Sequence, residues 1–383
     1  MCLYPRRYIN KKYTVTKKNG GCVPELPIIG QKVSYVTAFG EKLDKGYNPS
    51  NRKIIENIHD NRVLYINIPC GQCIECRKAK ARQWQVRLNE ELKSKDYYPY
   101  FITLTFSPEQ LGTLMRETGQ AESNALAGIA VRRSLERWRK DHKKSLRHWY
   151  ITELGHEGTE RIHIHGLIFS DIPLEFTKSK QENFFHWKYW KYGLVYVGQY
   201  VNARTINYIV KYMTKIDNDH KGFIGQVLCS PGIGKSFMNN PTIQETHKYR
   251  PRHTNDYYRL SNGGKVKLPT YYKNKLLNEE ERELLWREFM DMEKTTVAGN
   301  TYPNRTTPLP VLENVVTKAQ EVNSNLGYGS DSQEWRKIPY NVTEKMLKSE
   351  KTQKNAKKVD LDLEISKLMT IFAPNSVKND NLP

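Results

Sequence analysis

The chain has 383 residues, 38% hydrophobic and 27% charged, with 61 Lys and Arg against 41 Asp and Glu, a formal net charge of +20. No run of eighteen apolar residues occurs, which excludes a transmembrane helix, and the opening "MCLYPRRYINKKY" lacks the apolar centre of a signal peptide, so an unexported protein with no membrane partner is expected. Residues 301–383 carry 12 basic and 10 acidic residues, so nearly all the excess lies in residues 1–300 and points to a polyanionic partner.

In chain order, residues 1–69 are punctuated by Gly and Pro, with short strand-like runs "KVSYVTAF" and "RVLYINIP". Three of the six cysteines then bunch as "CGQCIEC": Cys70, Cys73 and Cys76. That is no secreted disulfide framework, and a reducing compartment with metal-binding thiols fits better. The next stretch, "RKAKARQWQVRLNEEL", sets Ala81, Trp84, Leu88 and Leu92 at helical spacing among basic residues. "PYFITLTFS" is rich in β-formers and reads as a strand. A polar segment leads to "SNALAGIAVRRSLERWRKDHKK", where Val131, Leu135 and Trp138 form an apolar stripe beside Arg132, Arg133, Arg137 and Lys140. Those four cations are candidate DNA contacts. The aromatic–basic run 247–259 is another, since exposed rings can stack on unpaired bases.

Two strands follow, "HWYITELG" and "RIHIHGLIF", joined through "HEGTE" as a hairpin. "QENFFHWKYWKYG" reads as a helix stopped at Gly193, then "LVYVGQY" as a strand, then "NARTINYIVKYMTK" as a helix capped by Asn202. "NEEERELLWREFMDMEK" is helical, and from 297 onward the polar composition predicts a largely mobile tail. The amphipathic "LDLEISKLMTIF" within it is expected to dock on the body or on a partner.

Chemistry concentrates in two places. Residues i and i+2 of a strand share a face, so His163 and His165 project together as two imidazoles for one metal ion. Folding the hairpin about its loop pairs residues whose numbers sum to about 316. That sets Glu153 opposite His163 as the third ligand, with Glu157 and Glu160 in reserve. Such a set suits Mg²⁺, Mn²⁺ or Zn²⁺. Downstream, Tyr208 and Tyr212 lie four apart on the predicted helix, with Lys211 and Lys215 as a second such pair. A tyrosine oxygen can attack phosphorus while lysines offset charge. "PGIGKSF" is not a phosphate-binding P-loop, because Cys229 stands where its first glycine belongs.

"FITLTF", "RIHIHGLIF" and "YIVKYMTK", in that order, resemble motifs one, two and three of the HUH rolling-circle replication initiators. "CGQCIECRKAKARQWQVR" and the opening "MCLYP" resemble the gokushovirus-like branch of the microviruses, small single-stranded DNA phages. The likeness extends over roughly residues 1–240 in separate blocks. It implies an α/β endonuclease domain with a central antiparallel sheet flanked by helices. It also implies a site-specific single-strand nuclease and ligase, metal ligands His163 and His165 with Mg²⁺ or Mn²⁺ as cofactor, and alternating nucleophiles Tyr208 and Tyr212. Its partners would be single-stranded origin DNA and phage replicative-form DNA in the bacterial host cytoplasm, with a host helicase and polymerase. Three clustered cysteines fall one short of a structural Zn²⁺ site; Cys2 or Cys22 could complete it, and the resemblance favours Cys2.

The expected plan is a cysteine-bearing N-terminal region with a basic helix (1–95), the nuclease core (96–216), a basic and aromatic helical extension (217–300) and a polar, partly flexible tail (301–383). The competing readings are a non-catalytic DNA-binding protein with a zinc-stabilised module, and an HUH relaxase or transposase of another mobile element.

Overall fold

A computed structural model describes residues 2–10, 14–16, 52–54, 65–93, 97–156, 158–198, 200–220, 223–260, 263–329 and 339–348. "KVSYVTAF", Cys22, Glu157 and "LDLEISKLMTIF" lie outside them. In chain order the elements begin with short strands β1 (Arg6–Ile9), β2 (Thr14–Thr16), β3 (Arg52–Ile54) and β4 (Tyr65–Ile68), then helix α1 (Ile74–Leu92), strand β5 (Tyr98–Leu104) and helices α2 (Pro108–Thr118) and α3 (Ser123–His142). Strands β6 (Arg147–Leu154), β7 (Ile162–Ser170), β8 (Thr177–Lys178), β9 (Phe184–Trp187) and β10 (Trp190–Gly198) precede helix α4 (Ala203–Lys211) and strand β11 (Val227–Cys229). The remainder holds α5 (Pro241–Thr246), β12 (Tyr257–Arg259), β13 (Lys265–Lys267), α6 (Thr270–Leu276), α7 (Glu279–Asp291), β14 (Lys294–Val297), β15 (Asn300–Pro303) and α8 (Leu309–Asn325). Among the described residues no helix is long and apolar enough to cross a membrane.

The chain divides into two compact units. The larger comprises Ala81–Ile243, Tyr258–Pro269 and Lys337–Pro383. It is α/β: a seven-stranded sheet in the order β11-β6-β7-β5-β10-β9-β8, its neighbours antiparallel, with helices on both faces. The sheet extends past residue 216, because β11 pairs with β6 through Val227 opposite Ile151. One face carries Ile102, Leu104, Tyr150, Ile162, Ile164 and Ile168 under the apolar stripes of α2 and α3. The other carries Phe101, Trp149, Ile151, Leu167 and Phe169, covered by Ala81 and Leu88 of α1 and by Ile206, Ile209 and Val210 of α4. A strand covered on both faces reads as a continuous apolar run, which accounts for β7 being buried along nearly its whole length.

Gly166 is what lets β6 and β7 approach. A Cβ at that position would come within 2.1 Å of Tyr150 Cδ1 and 2.5 Å of the Trp149 carbonyl oxygen. The pairing of β6 with β7 runs from Arg147 opposite Phe169 to Leu154 opposite Ile162, the register expected from the hairpin loop.

Three expectations need correction. "QENFFHWKYWKYG" is not a helix but strand β9, a turn and the start of β10. Its aromatic residues are spaced to satisfy either period, and the ring-packing surface of a sheet suits them better. Gly193 ends no helix; it sits where the β9–β10 register shifts, and a Cβ there would meet the Thr105 carbonyl oxygen at 2.3 Å. The polar segment after β5 is helix α2, started by Ser107, whose hydroxyl accepts from the Gln110 N–H at 3.2 Å, and ended by left-handed Gly119. Beyond 297 the chain is ordered in β15 and α8, whose Leu312 and Val316 are buried.

The smaller unit comprises Met1–Lys80, Gln244–Tyr257 and Thr270–Arg336. Its core is slight: Leu3, Cys73, Val297 and Val316, ringed by Cys2, Tyr4, Cys70, Ile74 and Cys76 among others. Gln320 of α8 donates to the Leu3 carbonyl at 2.9 Å, and Asn323 accepts from the Ile74 N–H at 2.8 Å.

Candidate active site

The strand ladder brings the expected residues to one sheet face. Glu153 of β6 is opposite His163, while His165 is opposite Ile151 on one side and Thr103 of β5 on the other. The Glu153 carboxylate lies 3.0 Å from His165 Nε2 and accepts from Lys215 Nζ at 2.7 Å. Thr103 Oγ1 is 3.0 Å from His165 Nδ1, so the far nitrogen of that ring is held while Nε2 faces the carboxylate. Burial alone would raise Glu153, but hydrogen bonding and charge from His165 and Lys215 outweigh it and hold the carboxyl down to about 2. Burial pushes His163 down to about 4, with the neighbouring His165 adding to the effect. A neutral imidazole is the ligand form.

Helix α4 sets the tyrosines over this face. Asn202 caps it, accepting from the Arg204 and Thr205 N–H groups, and Thr205 returns the bond in a capping box. Ile206, Ile209 and Val210 pack on the sheet, which turns Tyr208 and Tyr212 toward the histidines. The Tyr212 ring stacks on His165 with centroids 4.6 Å apart and planes 2° apart. The Tyr208 and Tyr212 hydroxyls are hydrogen-bonded to each other. Lys215 Nζ lies 5.9 Å from the Tyr212 ring centre.

The two lysines part company. Lys215 belongs to the site through Glu153, whereas the Lys211 side chain is exposed. The α3 cations lie on the helix layer of the opposite sheet face. There Arg133 pairs with Glu117 at 2.7 Å, and Arg137 donates to the Tyr189 carbonyl at 2.9 Å and the Tyr192 hydroxyl at 3.2 Å. Arg132 and Lys140 are exposed on that helix. Glu160, a reserve ligand, is paired instead with Lys345. The "GIGKS" loop is bound internally: the Gly234 N–H donates to the Glu91 carboxylate at 2.6 Å, and Arg147 clamps that carboxylate and the Gly232 carbonyl.

Residues 99–217 match the model of the replication-associated protein ORF2 family. The chain is also 27% identical over 219 residues to the replication-associated protein ORF2 of Spiroplasma virus 4, an alignment covering 52% of this chain and 66% of that protein. The chain thus spans just under two thirds of that relative's length. No solved structure matches the chain. The matched family segment contains Thr103, Glu153, His163, His165, Tyr208, Tyr212 and Lys215, every residue of the site assembled above.

Among the described residues, the groups whose metal-ligating atoms all lie within 4.8 Å of one another are two others: Cys2, Cys70, Cys73 and Cys76, and His156, Asp217 and His220. The sequence does not point to the second. It adjoins the site, with His156 Nε2 3.9 Å from a Glu153 oxygen; buried His220 is held by Asp217 at 2.7 Å. Its members come from the β6–β7 turn and the segment after α4, so no local spacing announces it.

Proposed function

We propose that this protein initiates rolling-circle replication of a small single-stranded DNA phage, nicking one strand at the origin and retaining the new 5′ end on a tyrosine. The observation that carries this reading is the meeting of the Tyr208 and Tyr212 hydroxyls above His165, inside the segment shared with the replication-associated family. In the reaction a tyrosine oxygen forms a bond to phosphorus as the bond to the 3′ oxygen breaks, and the phenol proton is matched by one taken up at the released 3′ hydroxyl. One phosphodiester replaces another, so the reverse attack by a 3′ hydroxyl closes a circle without ATP.

The chain's own residues have separable tasks. Lys215 places positive charge beside Tyr212 and the incoming phosphate while fixing Glu153. The second tyrosine's hydroxyl donates to the oxygen of the first, and later attacks the regenerated origin while the first still holds the old end. A bound Mg²⁺ or Mn²⁺ would polarise the scissile phosphate, and the donor set of His163, His165 and Glu153, two imidazoles and a carboxylate on one sheet face, suits such an ion. The net charge of +20 serves the polyanion. The setting is the cytoplasm of a bacterial host, whose helicase and polymerase unwind and extend.

The test incubates the protein with a labelled single-stranded origin oligonucleotide and Mg²⁺ or Mn²⁺, followed by a denaturing gel. A covalent adduct in the wild type, absent from His163→Ala/His165→Ala and from Tyr208→Phe/Tyr212→Phe, is expected. Binding without cleavage under either metal would leave a non-catalytic DNA-binding protein in its place.

A further inference from the structure

Within the smaller unit, Cys2 and the "CGQCIEC" turn form a cluster the nicking reaction does not use. Their four sulfurs lie within 4.8 Å of one another, although Cys2 and Cys70 are 68 residues apart in sequence. Cys73 is buried and the other three are half-buried.

From this geometry we propose that Cys2, Cys70, Cys73 and Cys76 bind one structural Zn²⁺ ion as a tetrathiolate. Size supports a single ion. At a Zn–S distance of about 2.3 Å, tetrahedral geometry places neighbouring sulfurs about 3.8 Å apart, and Cys70 Sγ and Cys76 Sγ are 3.9 Å apart. An iron–sulfur cluster, with several metal atoms between its cysteines, holds them farther from one another.

Backbone amides already address the sulfurs as they would thiolates. Tyr4 and Cys70 donate N–H to Cys2 Sγ at 3.4 and 3.2 Å, Cys73 donates to Cys70 Sγ at 3.4 Å, and Leu3 donates to Cys73 Sγ at 3.5 Å. Such bonds orient first ligands and disperse their charge. Cys76 lies in the first turn of α1, where the helix dipole favours negative charge, and the next residue, Arg77, is a buried cation. Four protein ligands leave no open coordination position, so the role is structural. The ion ties the N-terminal segment to the β4–α1 turn in a unit whose apolar core is too slight to do so alone.

Zinc is measured by mass spectrometry on the full-length protein purified without chelator, and cobalt is then exchanged into the wild type. The expected result is about one zinc per chain, sulfur-to-cobalt charge-transfer bands with the intense visible spectrum of a tetrahedral thiolate site, and loss of both in Cys70→Ser/Cys76→Ser. His163→Ala/His165→Ala retains both, which separates this ion from any metal at the histidines. The cobalt spectrum needs no variant, so misfolding of the cysteine variant does not obscure the answer. Four freely titrating thiols with no zinc, a disulfide among them, an iron–sulfur chromophore, or zinc retained in the cysteine variant would each overturn the proposal.

Discussion

Lys215 Nζ and the Glu153 carboxylate, 62 residues apart in sequence, meet at 2.7 Å and join the segment after α4 to the histidine sheet. The same carboxylate faces His165, so the lysine sets the position of a group the ion would need. Lys215→Ala is expected to slow adduct formation by about 10–100-fold, the usual cost of losing a group that orients a metal ligand. Lys215→Arg keeps the charge and restores part of the rate. Lys211→Ala, at an exposed position, has a much smaller effect. Single-turnover nicking assays of the three variants check the order, and equal losses from Lys211 and Lys215 would contradict it.

Gly166→Ala is expected to destabilise the fold by about 1–3 kcal/mol, as for overpacking in a filled core. The added methyl meets both the Tyr150 ring and the Trp149 carbonyl oxygen. Shortening Tyr150 removes only the first clash, so Gly166→Ala/Tyr150→Leu remains less stable than Tyr150→Leu alone. Urea unfolding of the four proteins completes the cycle.

The His163 value of about 4, against an ordinary 6.5, means that the unfolded chain binds the extra proton first. Stability therefore rises with pH between those values; it is fully present above about 6.5 and is lost as pH falls toward 4. In chelator, the wild type should lose stability across this window more steeply than His163→Asn. Parallel slopes for the two proteins would show that His163 is not the group responsible.

Glu91 and Arg147 are a paired charge beneath the "GIGKS" loop, with the Glu91 side chain 3% exposed. Glu91→Ala leaves the Arg147 guanidinium without its carboxylate and should cost about 3–5 kcal/mol. Because the loop's Gly234 amide is already given to Glu91, ATP or phosphate should not raise the melting temperature of the wild type. A nucleotide-dependent shift would refute this account of the loop.

The readable parts of the fold are those fixed by local rules. The β6–β7 register follows from the short loop and from period-two spacing, which carries Glu153 to His163 without any knowledge of the third dimension. Asn202 announces α4 through its cap. The aromatic run 184–192 misleads because its rings satisfy both a helical and an extended period, and only burial against Phe106 and Thr105 decides between them. Helix α2 carries its signals in plain view, Ser107-Pro108 at the start and Gly119 at the end, but its polar surface hides them. Which lysine serves the site, and the neighbourhood of His156, Asp217 and His220, depend on where α4 ends and the chain turns back.

That ending gives the two tyrosines unequal footing. Tyr208 is inside α4, whereas Tyr212 follows its last residue, in a stretch where Tyr212, Met213 and Thr214 bond back only three residues, to Ile209, Val210 and Lys211. A DNA end attached to Tyr208 would pull against a regular helical turn; one attached to Tyr212 would pull against a tighter, more yielding coil. On the proposed function, the two nucleophiles are then a fixed post and a sprung one. The molecule has a built-in means of keeping hold of one strand terminus while the other is handed over.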